Sequence, residues 1–268
     1  MDVNSLIGSH DFLFITLDTL RYDVATDCRN HGQTPNLAKL LPGGAWESRH
    51  SPGSFTYAAH QAFFAGFLPT PDQPGKHPRL FALSFAGSET TSPNTCVFET
   101  ENIIAGFGQR GYHTICIGGV GFFNKQNPLG NVLPGMFAES HWQPSLGVTD
   151  PNSTEHQVQL AIDLLSKLPA AQRVFLFINI SALHQPNCIF TPGATEDSPQ
   201  TQGAALAYVD RCLPPLLQAM QQRAPVMGVV CSDHGTAYGE DNYVGHRLNH
   251  SIVWTVPYAE FVLPHTLS

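Results

Sequence analysis

The sequence predicts an α/β fold, a doubly wound and mostly parallel sheet with helices on both faces. Short apolar runs of strand length end abruptly at polar residues, as at 11–17 and 226–230. Segments with apolar residues at helical spacing lie between such runs, as at 156–168 and 202–223. Because strands that alternate with helices are typical of doubly wound sheets, we expect this architecture.

Composition limits the kinds of partner that the chain can have. The 268 residues are 42% hydrophobic and 13% charged, which fits one core-forming domain over residues 1–268. A net charge of −8 provides no basic footprint for nucleic acid. No segment approaches the roughly 18 apolar residues of a membrane span. The six cysteines lack CxxC spacing and no secretory signal is visible at the start, so we expect a cytoplasmic protein without a membrane partner.

Two of the apolar runs end at residues that can bind a metal. Asp233 and His234 follow the run at 226–230, and an oxygen and nitrogen pair of this kind suits zinc, manganese or iron. Gly235 would let the backbone turn behind them. Asp18 follows the run at 11–17 and would meet Asp233 if the two strands are neighbours. The alternative is that both aspartates cap helices and that His234 lies at the surface.

A threonine stands at the start of a predicted helix. Thr56 precedes an apolar segment at helical spacing that closes at Gly66. The amides and dipole of a helix N-terminus favour an anion, so a hydroxyl there can be a metal-activated nucleophile for a phosphate ester. A simple N-cap is the alternative.

In order and spacing, these segments resemble a known family. Residues 17–23 (LDTLRYD), 34–37 (TPNL), Thr56 and 232–235 (SDHG) are similar to motifs of the sulfatase-like branch of the alkaline phosphatase superfamily. Four further segments resemble the remaining motifs of that branch: residues 111–118, 175–186, 208–210 and 245–257. The resemblance implies an alkaline phosphatase-like domain. Because the chain ends soon after residue 257, we expect the smaller C-terminal subdomain of sulfatases to be missing.

The resemblance also implies a site and a reaction. Asp18, Thr56, Asp233 and His234 would surround one divalent metal, zinc or manganese, and Thr56 would form a covalent intermediate with a phosphate mono- or diester or a phosphonate ester. Residues 56–60 (TYAAH) lack the cysteine or serine that sulfatases oxidise, which disfavours sulfate. These residues resemble instead the threonine segment of nucleotide pyrophosphatases and phosphodiesterases. The alternatives are a phosphotransferase, a sulfatase-like hydrolase and a metal-binding scaffold without turnover.

Three histidines complete the predicted site. His184 and His246 would point into the same pocket, where they would contact substrate oxygens and His184 would act as acid or base. They could instead bind a second metal, with His246 as a ligand, but one ion is preferred because Ile180 occupies the ligand position four residues before His184. His60 is a lesser candidate for substrate contact. A small-molecule or modified-peptide ester fits these residues as substrate, and the oligomeric state is open.

The remaining segments are predicted as connections. Residues 72–76 and 193–202 are rich in proline, glycine and polar residues and are interpreted as loops. Residues 124–151 have little periodicity and are expected to form a long insert over the active site.

Overall fold

The computed structural model describes residues 2–66, 81–82, 96–97 and 102–266. These residues form eleven strands: β1 (Asp11–Leu17), β2 (Glu47–His50), β3 (Phe81–Ala82), β4 (Cys96–Val97), β5 (His113–Ile117), β6 (Glu139–His141), β7 (Val174–Ile180), β8 (Val226–Cys231), β9 (Ala237–Tyr238), β10 (Val244–Gly245) and β11 (Thr255–Leu263). They also form nine α-helices: α1 (Tyr22–Asn30), α2 (Pro35–Ala38), α3 (Thr56–Ala65), α4 (Ile103–Gln109), α5 (Pro128–Val132), α6 (Ser153–Lys167), α7 (Pro199–Cys212), α8 (Pro214–Arg223) and α9 (Ser251–Trp254).

A seven-stranded sheet forms the middle layer, in the order β2-β11-β8-β1-β7-β5-β6. Strands β8, β1, β7, β5 and β6 are parallel to one another. Strand β11 is antiparallel to both β8 and β2. The predicted mostly parallel sheet is therefore confirmed, with β1 near its centre.

Helices cover both faces of this sheet. They are needed on both because successive side chains of β1 point to opposite faces and are buried on each. Leu13 and Ile15 face a core shared with α1, α2, α6, α7 and α8. Phe12 and Phe14 face a second core shared with α3 and α4. The second core is rich in phenylalanine rings, most of which meet edge-on or tilted. Burial on both faces explains why β1 is apolar from Phe12 to Leu17 except at Thr16, as parallel central strands usually are.

Four predictions about the segments between strands need correction or lie outside the described residues. Residues 124–151 do not form a separate insert: they contain α5 and β6, and β6 pairs with β5 to extend the sheet. The predicted helix at 202–223 is two helices, because Pro214 and Pro215 lack the backbone N–H that would continue α7. The loop predicted at 193–202 ends early, since Ser198 caps α7 at Pro199. The loop predicted at 72–76 lies outside the described residues.

The described residues contain no helix that is long and apolar enough to cross a membrane. Strand β11 ends at Leu263, three residues before the last described residue.

Candidate active site and metal centre

Asp18 and Asp233 come together because their strands are neighbours. Strands β1 and β8 are parallel, with Thr16 opposite Cys231, and each aspartate lies two residues beyond this pair. Asp18, Asp233 and His234 are fully buried. One ligand atom from each lies within 4.8 Å of the others, the arrangement expected of a cation site.

Each carboxylate has one oxygen that is hydrogen-bonded and one that is not. Asn179 Nδ2 donates to Asp18 Oδ2 at 3.0 Å. The backbone amides of Thr19 and His234 donate to Asp233 Oδ1 at 3.1 and 3.0 Å. Asp18 Oδ1 and Asp233 Oδ2 are buried without a hydrogen-bond partner among the described residues. Buried unpartnered oxygens are costly unless a cation satisfies them, so this pair fits a metal ion.

The charge of the pair leads to the same conclusion. Burial, and then the neighbouring Asp233, raise the pKa of Asp18 well above its usual range. Two carboxylates this close cannot both ionise in a buried site unless a positive charge lies between them. A divalent cation would supply that charge.

His234 presents one nitrogen to the same place. Its Nδ1 donates to the carbonyl of Gly235 at 2.9 Å, which leaves Nε2 as the nitrogen with a free lone pair. Nε2 lies 3.5 Å from Asp233 Oδ2 and 3.3 Å from Thr56 Oγ1. Two carboxylates and one imidazole match the oxygen and nitrogen ligands of zinc.

Thr56 is the first residue of α3, and its hydroxyl does not cap the helix. Phe55 is the N-cap residue, and its side chain makes no capping hydrogen bond. Thr56 is almost fully buried, and its Oγ1 faces His234 instead of the helix amides. The N-cap alternative is therefore wrong, and the hydroxyl lies where the positive end of the α3 dipole favours an anion.

Gly235 serves close packing and not the sharp turn that we expected. A Cβ at this position would lie 2.0 Å from the carbonyl oxygen of Ile252, and Gly235 has no positive φ. Its amide donates to the carbonyl of Val253 at 2.6 Å. The glycine is required because the chain before β11 passes directly against the Asp233-His234 segment.

His184 and His246 lie beside this group. The ring centroid of His246 is 4.5 Å from that of His234 and 6.2 Å from that of His184. Burial is the largest cause that lowers the pKa of each, to about 4 for His246, where His234 adds to it. His184 Nδ1 donates to the carbonyl of Gln185 at 2.7 Å, and His246 Nδ1 is buried without a partner in the part of the chain that the structure describes. His246 is not part of the three-residue ligand group, so its predicted role as a ligand stays a prediction.

His60 does not reach the substrate side of the site. Its side chain is fully buried, its Nδ1 donates to the carbonyl of Thr56 at 2.7 Å, and its Nε2 lies 3.1 Å from Thr16 Oγ1. Burial lowers its pKa. These contacts do not support the predicted substrate contact of His60: the residue lies one turn beyond Thr56 on the same face of α3, where its side chain is packed inside the core.

Sequence reasoning missed Asn179 and Thr16, which support the residues of the site through buried hydrogen bonds. Asn179 is the one polar residue inside β7, and Thr16 is the corresponding residue of β1. A buried amide must find hydrogen-bond partners, so a lone asparagine in an apolar strand was the available signal.

Comparison with known proteins gives the fold a family. A family model described as Sulfatase matches residues 10–259. No curated protein matches the chain. Among solved structures, the C-terminal periplasmic domain of phosphoethanolamine transferase EptC from Campylobacter jejuni is 12% identical. It aligns with a TM-score of 0.62 over 95% of this chain and 80% of that one.

Two further structures share the fold. The zinc complex of the C-terminal periplasmic domain of EcEptC from Escherichia coli is 11% identical, with a TM-score of 0.64 over 95% of this chain and 73% of that one. The lipoteichoic acid synthase LtaP from Listeria monocytogenes is 12% identical, with a TM-score of 0.63 over 98% of this chain and 67% of that one. At these identities the likeness shows the fold alone.

These neighbours contradict the expected cytoplasmic location. The EptC structures from both organisms are periplasmic domains, so the absence of an obvious signal in the sequence was a poor guide.

The resemblance seen in the motifs is confirmed. The family model spans most of the chain, and the site residues Asp18, Thr56, Asp233 and His234 all lie within it. Members of this superfamily are metal-dependent enzymes that act on phosphate or sulfate esters. The chain belongs to the sulfatase family, in the sulfatase-like branch of the alkaline phosphatase superfamily.

Proposed function

We propose that the chain is a metal-dependent hydrolase of a phosphate mono- or diester or a phosphonate ester, with Thr56 as its nucleophile. One observation carries this proposal. The Thr56 hydroxyl stands at the N-terminus of α3, 3.3 Å from His234 Nε2, beside two buried carboxylates that each have an unpartnered oxygen. A hydroxyl in such a place is suited to become a nucleophile.

Asp18, Asp233, His234 and Thr56 are the residues that would hold the cation. When bound, a divalent ion would lower the pKa of the hydroxyl and withdraw charge from the ester oxygens. The carboxylate and imidazole ligands favour zinc, and a related fold is known as a zinc complex. A single convergent ligand group in the described residues supports one ion over two.

The residues of this chain divide the remaining work. Thr56 Oγ1, after losing its proton to solvent, attacks phosphorus as the bond to the leaving alkoxide breaks; the alkoxide takes a proton from solvent, and the group is left esterified to Thr56. Water then attacks the same phosphorus, the bond to Thr56 Oγ1 breaks, and that oxygen regains a proton. Because burial lowers the pKa of His184, the ring is neutral near pH 7 and suited to accept the proton of that water. His246, whose pKa is lowered to about 4, is suited to contact ester oxygens as a neutral ring.

A phosphotransferase is the second candidate. EptC from Campylobacter jejuni is a phosphoethanolamine transferase and LtaP is a lipoteichoic acid synthase. In this alternative, an alcohol replaces water in the second step while Thr56 keeps its role. Sulfate hydrolysis is a poorer candidate, because Thr56 occupies the position where sulfatases have an oxidisable cysteine or serine.

Turnover of four chromogenic esters tests the proposal. The esters are para-nitrophenyl phosphate, bis-para-nitrophenyl phosphate, para-nitrophenyl phenylphosphonate and para-nitrophenyl sulfate, each assayed with zinc or manganese. We expect turnover of at least one phosphorus ester, and Thr56→Ala should lower kcat/KM by roughly 10³-fold or more because the attacking oxygen is lost. Thr56→Ser keeps the oxygen and should retain turnover. Thr26→Ala is the matched control, since Thr26 is also a helical threonine and its hydroxyl has no hydrogen-bond partner among the described residues.

Retention of turnover by Thr56→Ala would contradict the proposal. Intact mass after acid quenching should show the esterified form in the wild type and not in Thr56→Ala. If that form is discharged by added alcohol and not by water, the phosphotransferase alternative holds. Zinc binding without turnover of any ester would favour the scaffold.

A further inference from the structure

Three buried polar side chains lie beneath the candidate nucleophile, and the chemistry above does not use them. They are Thr16 on β1, Asn179 on β7 and His60 on α3, and all three are fully buried. Thr16 and Asn179 are register partners on neighbouring strands. Hydrogen bonds connect the three residues to Asp18 and to the backbone of Thr56. We name Thr16, Asn179 and His60 the support network.

The orientation of the Asn179 amide is fixed by its surroundings. The backbone amide of Val120 donates to Asn179 Oδ1 at 3.0 Å, so the other atom of the amide must be nitrogen. That nitrogen donates to Asp18 Oδ2 at 3.0 Å and to Thr16 Oγ1 at 3.2 Å. Both amide hydrogens are thereby used. The Thr16 hydroxyl receives one of them and must donate its own hydrogen elsewhere.

The direction of the hydrogen bonds is also defined at His60. Its Nδ1 lies 2.7 Å from the carbonyl oxygen of Thr56, and a carbonyl only accepts, so Nδ1 carries a hydrogen. In a neutral ring, Nε2 is then an acceptor, and it lies 3.1 Å from Thr16 Oγ1. Every hydrogen bond from Asn179 to the Thr56 carbonyl therefore has one defined direction, and no donor in the series is left unpaired.

The His60 ring is also held sterically. Four phenyl rings surround it with centroids 5.1 to 5.9 Å away: Phe63, Phe64, Phe123 and Phe177. All four contacts are edge-on, so rotation of the imidazole would drive it into a neighbour. The hydrogen bond to Thr56 thus comes from a ring with one available position.

We propose that the support network fixes the position of Thr56 relative to Asp18, so that His60 and Thr16 are positioning residues for the nucleophile. The network ties the first turn of α3 to β1, the strand that delivers Asp18. This proposal rests on Thr56 being the nucleophile, as proposed above. A displacement of about 1 Å in a reacting group can reduce turnover roughly 100-fold, so the tie matters for rate more than for substrate binding.

Thr16→Val tests this tie, because valine keeps the shape of threonine and removes the hydroxyl. With the most active phosphorus ester, we expect kcat to fall by roughly 10- to 100-fold while KM changes by less than about twofold. Thr16→Ser restores the hydroxyl and should recover most of the lost kcat. Thr114→Val is the matched control: Thr114 is a buried strand threonine whose hydroxyl oxygen accepts a hydrogen bond from the Ala138 amide, away from the site.

His60→Phe is a second variant, which keeps an aromatic ring among the four phenyl rings and removes both hydrogen bonds. It should lower kcat at least as much as Thr16→Val. An equal loss of kcat in Thr16→Val and Thr114→Val, or an unchanged kcat in Thr16→Val and His60→Phe, would overturn the proposal. Because Thr56→Ala is assayed alongside, these outcomes are distinct from a failure of the proposed function.

A measurement independent of activity checks the hydrogen-bond direction. Long-range proton–nitrogen NMR spectra of protein labelled with ¹⁵N-histidine distinguish the two neutral forms of each ring. The His60 signal, assigned by its loss in His60→Phe, should show the form with hydrogen on Nδ1. A hydrogen on Nε2 alone would overturn the proposal, whether or not any ester is turned over.

Discussion

Strand β1 has a buried aspartate at each end, and the two differ in what surrounds them. Asp11 begins the strand, and Asp18 directly follows it; both are fully buried. Asp11 accepts from the Val174 amide at 3.0 Å and lies 3.3 Å from Arg173 Nη1 and 3.6 Å from Arg223 Nε. Burial raises the pKa of both aspartates, but at Asp11 the amide and the two arginines oppose it.

Asp18 has another carboxylate as its neighbour and no such cations. Among the described residues, no lysine or arginine forms an ion pair with Asp18 or Asp233. At the amino end of β1, arginines of the chain itself supply the positive charge. At the carboxyl end, a bound cation would have to supply it. Burial alone therefore does not distinguish a structural carboxylate from a functional one. The source of the positive charge that neutralises the carboxylate does distinguish them.

The largest effect that would test this contrast is expected at Asp233. Asp233→Asn keeps the size of the side chain and removes one of the two charges that attract the cation. We expect the zinc-dependent rise in melting temperature to disappear and turnover to fall by roughly 10³-fold or more. In the wild type, zinc at about 100 times its Kd should add about 2.7 kcal/mol to the free energy of unfolding.

Scanning fluorimetry across a zinc titration measures this response. Asp11→Asn serves as the matched control and should keep the full zinc response. If Asp233→Asn responds to zinc as the wild type does, the carboxylate pair is not the cation site.

An intermediate effect is expected from Asp11→Asn itself, on stability. Loss of the carboxylate leaves Arg173 and Arg223 without their buried counter-charge. Arg223 keeps hydrogen bonds to several carbonyls, including those of Leu165 and Leu168, so we expect a loss of about 1–3 kcal/mol in the free energy of unfolding. Urea denaturation of the metal-free protein measures it. An unchanged midpoint would mean that the Asp11 carboxylate contributes nothing to stability through the two arginines.

The smallest effect extends the comparison to a half-buried carboxylate. Glu139 on β6 accepts from His113 Nε2 at 2.8 Å and from His141 Nε2 at 2.7 Å. The hydrogen bond from His113 is the main cause that lowers the pKa of Glu139 below its usual 4.5. A lowered pKa in the folded state stabilises the protein above the unfolded pKa, and this contribution is lost as the pH falls through the folded pKa.

Glu139→Gln should therefore cost about 1 kcal/mol or less at pH 6, and the difference from the wild type should shrink as the pH falls below about 4.5. Urea denaturation at pH 6, 5, 4 and 3 measures the difference. A cost that is independent of pH would show that the ionised form of Glu139 makes no contribution.

Prediction from sequence succeeded where one local signal determines the structure. The apolar run at 11–17 is β1 residue for residue, and the helix that closes at Gly66 begins at Thr56 as expected. The meeting of Asp18 with Asp233 followed from two strands ending in polar residues. In these cases, the apolar pattern and its end are both visible in the sequence.

Prediction failed where tertiary contacts decide. His60 looked like a site residue because it is close to Thr56 in sequence, yet one turn further along the same face of α3 its side chain is already inside the core. The role of Asn179 depends on which strand lies beside β7, and the sequence does not show that neighbour. The short strand β6 has no apolar pattern of its own and exists because β5 offers an unpaired edge.

The wide separation of the ligands along the chain has a consequence for folding. Asp18, Thr56 and the Asp233-His234 pair belong to segments that meet only after β1, α3 and β8 have assembled. Contacts between residues so distant in sequence form slowly, because long loops must close first. Neither the first nor the last third of the chain can hold a cation with these residues alone. Rapid-mixing experiments could therefore use zinc capture as a clock for the completion of the central sheet.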